Sequence, residues 1–286
     1  MKRLFSTILT VLLCFSLFSC HGGDGGSTPN GNESNDDARK DPIVSSVSEA
    51  KNVYDFSQRS IELDDYILPY RMYLPDDYSE EYAYPLFIFL HGAGERGSDN
   101  SLQLKNVVQN LFNDTESPIY QSIFIAPQCP TGEQWVNTPF SSGVYDSNSI
   151  AQSDSVSALI ALIEELQSTY SINADRIYLM GLSMGAYGVW DLLVRHTELF
   201  AAAVPICGGA DPSKAQLLTD MPIQTFHGTK DTSVPPMGTD AMVEAIRSAG
   251  GTLIEYEAME GKGHVIWDEA VATEDLIGWL FYQRKQ

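Results

Sequence analysis

One local pattern constrains this chain more than any other. In "RIYLMGLSMGAYGVWD", Arg176 to Asp191, an apolar strand-like run passes into a helix-like one through a turn that has a glycine two residues to either side of Ser183. Such a turn joins a buried strand to a helix packed back against it, which calls for a sheet covered by helices. The rest of the chain keeps that rhythm. "IELDDYILPYRMYLPDDY" reads as two short strands about a turn and "YPLFIFLHG" as a strand buried on both faces. "SIFIAP", "RIYLMGLS", "FAAAVPI", "PIQTFHG" and "TLIEYEAM" follow as further strands, bounded by loop residues. Between them, "DSVSALIALIEELQSTY" brings Val156, Leu159, Ile160, Ile163 and Leu166 to one helical face, "MGTDAMVEAIRSAGG" stops at glycines, and "ATEDLIGWLFYQRK" closes the chain as a helix. The expectation is an α/β fold: a mostly parallel central sheet with helices on both faces, a three-layer αβα sandwich. Ligands then sit at the carboxyl ends of the strands.

The amino terminus has a different character. Lys2 and Arg3 precede an apolar segment, Leu4 to Phe18, that ends in "LFSC". Residues 1–19 read as a signal peptide, since the apolar part is shorter than the roughly 20 residues of a membrane-spanning helix, and its end resembles a bacterial lipoprotein signal. Cys20 is the expected lipidation site, which implies export and attachment to a bacterial cell envelope, with simple cleavage and release as the alternative. Residues 20–41 are almost devoid of apolar side chains and read as a flexible tether. Residues 42–286 form one domain without internal repeats. The formal net charge is −21, more acidic still once Lys2 and Arg3 are lost. No basic stretch offsets it, which argues against a nucleic-acid partner. Beyond Cys14 and Cys20 only Cys129 and Cys207 remain, either free or paired, and no spacing suggests a metal site.

Ser183 sits where a strand-to-helix elbow would hold a nucleophile. A serine hydroxyl needs a base, and the base needs an orienting acid. Of the five histidines, His21 lies in the tether, His91 well upstream, His196 along the elbow helix and His227 within a strand end. His264, in the glycine-rich loop "EGKGHVIWDEA", is the remaining base. Asp231, in "FHGTKDTSVP", is the preferred acid. Asp211 is its rival, and Asp268 lies too far into the next helix. "LHGAGERG" supplies a glycine-rich turn after the central strand, so the backbone N–H groups of Ala93 and Met184 are the expected donors to a developing oxyanion, with Gly94 as the near alternative. Aromatics in the long loop after Cys129, Trp135 above all, are placed to stack on substrate or to pack the loop down. Glu95 and Arg96 are placed to contact substrate or to pair with each other, and the pairing is the preferred reading.

With these residues in hand, "YRMYLP", "YPLFIFLHGAGERGSDN", "APQCP", "GLSMGAYGVWD", "FHGTKDTSVP" and "GHVIWDEA" resemble the α/β-hydrolase superfamily. More narrowly they are similar to secreted carboxylesterases grouped with feruloyl esterases, acetyl xylan esterases and polyhydroxybutyrate depolymerases, related to phospholipase/carboxylesterase and prolyl oligopeptidase-like sequences. The resemblance implies a triad of Ser183, Asp231 and His264, an acyl-enzyme route, no cofactor, and an ester substrate such as an acylated glycan. A peptidase of prolyl oligopeptidase type would use the same triad, although the chain leaves no room for the propeller domain of those enzymes. A glycan-binding lipoprotein with an inactive fold is the expectation of a different class.

Overall fold

In the computed structural model, which describes residues 39–42 and 46–285, the expected strands form one eight-stranded sheet. They are β1 (Ser57–Leu63), β2 (Tyr66–Tyr73), β3 (Tyr84–Leu90), β4 (Ile123–Pro127), β5 (Ile172–Leu182), β6 (Ala202–Ile206), β7 (Ile223–Gly228) and β8 (Ile254–Met259). Their spatial order is β1-β2-β4-β3-β5-β6-β7-β8. β2 runs antiparallel to both β1 and β4, and every other pairing is parallel. This is the α/β-hydrolase fold. The expected signal, Cys20 and the tether up to Ala38 lie outside the described residues.

Side-chain alternation builds the two outer layers. Along β3, Leu86, Ile88 and Leu90 face one core, while Phe87 and Phe89 face the other. Ile123 and Ile125 of β4 and Ile177 and Leu179 of β5 join the first; Phe124, Tyr178 and Met180 join the second. Both faces must therefore be covered, which is why the central strands read as unbroken apolar runs. Six α-helices are described: α1 (Val108–Leu111), α2 (Asp154–Thr169), α3 (Met184–Arg195), α4 (Met237–Ser248), α5 (Trp267–Val271) and α6 (Leu276–Tyr282). α2, α3 and α4 cover the first face, and α1, α5 and α6 the second. No helix among the described residues is long and apolar enough to cross a membrane.

Several details differ from expectation. α2 buries Leu162 while Ile160 is only half-buried, because its inward stripe is centred one position away from the predicted one. β5 begins at Ile172, where pairing with Tyr84 extends the strand through polar, partly exposed residues. The closing segment is not one helix from Ala272: Asp275 adopts a left-handed conformation (φ 59°) that separates α5 from α6. Contacts also begin before Pro42. Arg39 donates to Ser171 Oγ at 2.7 Å, Lys40 pairs with Tyr82, and Asp41 meets Arg176 and Arg284, so polar contacts engage a segment that has no apolar side chain to bury.

The elbow between β5 and α3 shows why its glycines are there. A Cβ on Gly185 would stand 2.0 Å from the carbonyl oxygen of Leu90 on β3, and one on Gly181 would stand 2.7 Å from the backbone of Gly185. Both distances are far below any van der Waals contact, and both involve backbone that has nowhere to go. Gly185→Ala is accordingly expected to cost about 3 kcal/mol or more, a melting-temperature loss of roughly 8 °C for a domain this size. Calorimetry would check this, and kcat should fall with it as the elbow is displaced.

Candidate active site

Ser183 terminates β5 with φ 54° and ψ −118°, a conformation that non-glycine residues adopt only under constraint. The constraint is visible: its N–H donates to Ile206 O at 2.8 Å, and its carbonyl accepts from Ala186 and Tyr187 in the first turn of α3. The side chain is thereby raised off the sheet, half-buried.

Loops from two later strands meet it. His264, from the loop after β8, places Nε2 2.8 Å from Ser183 Oγ and Nδ1 2.6 Å from Asp231 Oδ2. A carboxylate only accepts, so Nδ1 carries the proton, and Nε2 is left to accept from the serine hydroxyl. Asp231, buried in the loop after β7, is fixed from its other side by the N–H groups of Ser233 (2.8 Å) and Val234 (3.0 Å) on Oδ1. His227 Nε2, which donates to Val234 O at 3.0 Å, also lies 3.2 Å from Asp231 Oδ2. Burial pushes its pKa down. The rival acid, Asp211, is committed elsewhere: its two oxygens accept from the backbone and hydroxyls of Ser147 and Ser213. Asp268 takes a hydrogen bond from Asn110 on α1.

The turn after β3 faces the elbow. Gly92 O accepts from His91 Nδ1 at 2.7 Å and from the N–H of Glu95. Because the carbonyl and N–H of one peptide point in opposite directions, this fixes the Gly92–Ala93 plane and aims the Ala93 N–H away from His91. Neither that N–H nor the one of Met184, the first residue of α3, donates a hydrogen bond among the described residues. Such orphan donors are expected at a helix start. His91 was missed in the sequence because position along the chain excluded it as a base. The signal present there was its place directly before the turn. It is 1% exposed, and its Nε2 accepts from the N–H of Cys129 at 2.9 Å. Burial lowers its pKa to about 4, so the ring is neutral and has one N–H for one carbonyl.

Trp135 corrects an expectation. It is fully buried, its Nε1 donates to His91 O at 3.2 Å, and its ring meets that of His91 edge-on at 5.5 Å. It packs the loop onto the domain beneath the turn and has no surface to offer a substrate; so large an apolar side chain gains more from burial than from a solvent-facing role. Tyr145 is buried as well, while Phe140 is half-buried and its carbonyl accepts from Tyr187 Oη. Cys129 and Cys207 are both free thiols. Cys207, with φ 54°, places its sulfur within 4.8 Å of the ligand atoms of Asp231 and His264. That trio has the donor types of a metal site, but the carboxylate and imidazole are already joined in the hydrogen-bond chain above.

Neutral His91 makes stability depend on pH. Its proton affinity is lower in the folded chain (about 4) than in the unfolded chain (6.5), so its contribution is complete above pH 6.5 and is lost as pH falls toward 4, by about 3 kcal/mol. Denaturant titrations of the natural chain and of His91→Gln should converge over that window, with the variant showing the flatter pH dependence.

Known proteins resemble this chain in sequence and in fold. A thermostable esterase of known structure is 34% identical with a TM-score of 0.71, and the match covers 82% of this chain and 64% of that one. A bifunctional acetylxylan esterase/xylanase from Neocallimastix patriciarum is 28% identical over 150 residues, 51% of this chain and 19% of that enzyme. This chain thus spans about a fifth of the latter and just under two thirds of the former. The feruloyl esterase module from Clostridium thermocellum, solved with sinapinate, shares the fold at 14% identity and a TM-score of 0.57, covering 85% of this chain and 98% of the module. Residues 78–275 match the phospholipase/carboxylesterase model, and the chain belongs to that family of α/β-hydrolases.

Proposed function

We propose that this chain is a serine carboxylesterase that removes acetyl or feruloyl groups from plant polysaccharide. The observation that carries the chemistry is the unbroken chain from Ser183 Oγ through His264 to Asp231, with contacts of 2.8 and 2.6 Å. As Ser183 Oγ attacks the ester carbonyl carbon, its proton passes to His264 Nε2, and the imidazolium that forms is held by Asp231. The carbonyl oxygen gains the negative charge and lies between the N–H groups of Ala93 and Met184. His264 then gives its proton to the departing alcohol oxygen, which leaves an acyl group on Ser183. Water enters, loses a proton to His264 and attacks the acyl carbon, and the second tetrahedral intermediate collapses to release the acid and restore the serine. The glycan preference draws on the xylan-esterase and feruloyl-esterase likenesses.

Assays on 4-nitrophenyl acetate, acetylated and feruloylated xylan, and proline-containing peptide amides separate the readings. Ester turnover without amide turnover is expected; efficient amide cleavage would favour a peptidase instead. Ser183→Ala should lower kcat by about 10⁶-fold and Asp231→Asn by about 10⁴-fold, with the fold retained by circular dichroism. A Ser183→Ala protein that kept most of its esterase activity would refute the mechanism.

We further propose that Cys20 is lipidated and anchors the chain to the cell envelope through the tether. Metabolic labelling with a fatty acid should mark the natural chain and not Cys20→Ser.

A further inference from the structure

The turn that holds the Ala93 N–H also carries Glu95, the last residue of the short 3-10 segment Ala93–Glu95. Its side chain folds back over Gly92. A Cβ built on Gly92 would lie 3.1 Å from Glu95 Oε2 and 3.5 Å from Ser183 Cβ, so carboxylate and nucleophile flank the same backbone carbon. Glu95 is half-buried. The partner expected for it, Arg96, is engaged elsewhere: Nε donates to Ala93 O at 2.9 Å and Nη1 to Glu133 O at 3.1 Å. Among the described residues Glu95 has no ion pair, and the hydrogen bond it accepts goes to its backbone carbonyl, from Gln128.

With no cation paired to it among the described residues, the Glu95 carboxylate keeps its acceptor capacity on a turn that Ser183 also flanks. An ionised carboxylate accepts through two oxygens and donates nothing. It therefore suits neighbouring hydroxyl groups, and it disfavours a substrate with a charge of its own sign.

We propose that Glu95 is a specificity residue, whose carboxylate accepts hydrogen bonds from hydroxyl groups on the alcohol portion of the bound ester and turns away anionic esters. An acetyl group carries no hydroxyl, so for acetyl esters the donors belong to the sugar. The hydroxyl half of this inference rests on the polysaccharide reading above; the charge half does not.

Three acetates test both halves on the full chain and on Glu95→Ala and Glu95→Gln: 4-nitrophenyl acetate (neutral, without hydroxyls), a methyl xyloside monoacetate (neutral, with hydroxyls) and acetoxyacetate (anionic). In Glu95→Ala, kcat/KM for the xyloside ester should fall about tenfold, mainly through KM, the scale of one hydrogen bond to a charged group. 4-Nitrophenyl acetate should change less than twofold, and acetoxyacetate should improve several-fold. Glu95→Gln keeps an acceptor of the same reach without the charge, so it should recover most of the xyloside activity and still admit the anion. Added salt should narrow the natural chain's discrimination against acetoxyacetate. Equal changes for all three esters would mean that Glu95 only shapes the turn, and no change for any would mean that it faces no substrate; either result overturns the proposal. If the natural chain hydrolyses 4-nitrophenyl acetate but ignores the xyloside ester, the polysaccharide reading fails alone, and the acetoxyacetate ratio still decides whether Glu95 selects by charge.

Discussion

The site depends on how closely the first turn of α3 approaches the end of β3. With Gly185 against Leu90 O, the helix start can lie directly beside the turn that begins at Gly92. In the mechanism we propose, this approach serves to bring the N–H groups of Ala93 and Met184, from the turns after β3 and β5, to one carbonyl oxygen. At the elbow, bonds to Ile206 O and to the first turn of α3 hold Ser183 in its positive φ, which lifts the hydroxyl from the sheet surface. Strain at one residue and the absence of two side chains are the local costs, and the large two-faced core is what can sustain them.

Around that contact, each polar group of the site is held by another that takes no part in bond making. Asp231 is oriented by the backbone of its own loop, with His227 at its flank. The Gly92–Ala93 peptide is oriented by His91, which in turn is wedged against Trp135. These supports are buried and neutral or fully hydrogen-bonded. Their geometry therefore changes little with solvent, so that in the mechanism we propose the developing charge meets dipoles already in place.

Much of this was legible in the sequence because it is written in periodicity. Unbroken apolar runs on β3, β4 and β5 report two covered faces, and parallel strands bring their following loops to one edge, so Ser183, Asp231 and His264 could be brought together without coordinates. What escaped has a different origin. The destination of Trp135 depends on a pocket made by His91 and Gly188, residues from two other elements. The role of His91 depends on the direction of one peptide plane. Where the contacts of the domain begin is set in part by ion pairs from Asp41 to Arg176 and Arg284, partners more than a hundred residues away that no local pattern announces. The pairing expected between Glu95 and Arg96 failed because adjacency in sequence does not decide which way two side chains turn.

Cys129 and Cys207 bear on how the folded state can be watched. Burial pushes both thiols up to about 12, so the reactive thiolate is scarce at neutral pH as long as the core stays closed. The Cys129 sulfur lies 3.3 Å from Ser155 Oγ on α2, and the Cys207 sulfur lies within 4.8 Å of the side chains of Asp231 and His264. Alkylation of either would report excursions in which the machinery itself comes apart, making the two sulfurs native clocks for opening that require no introduced label.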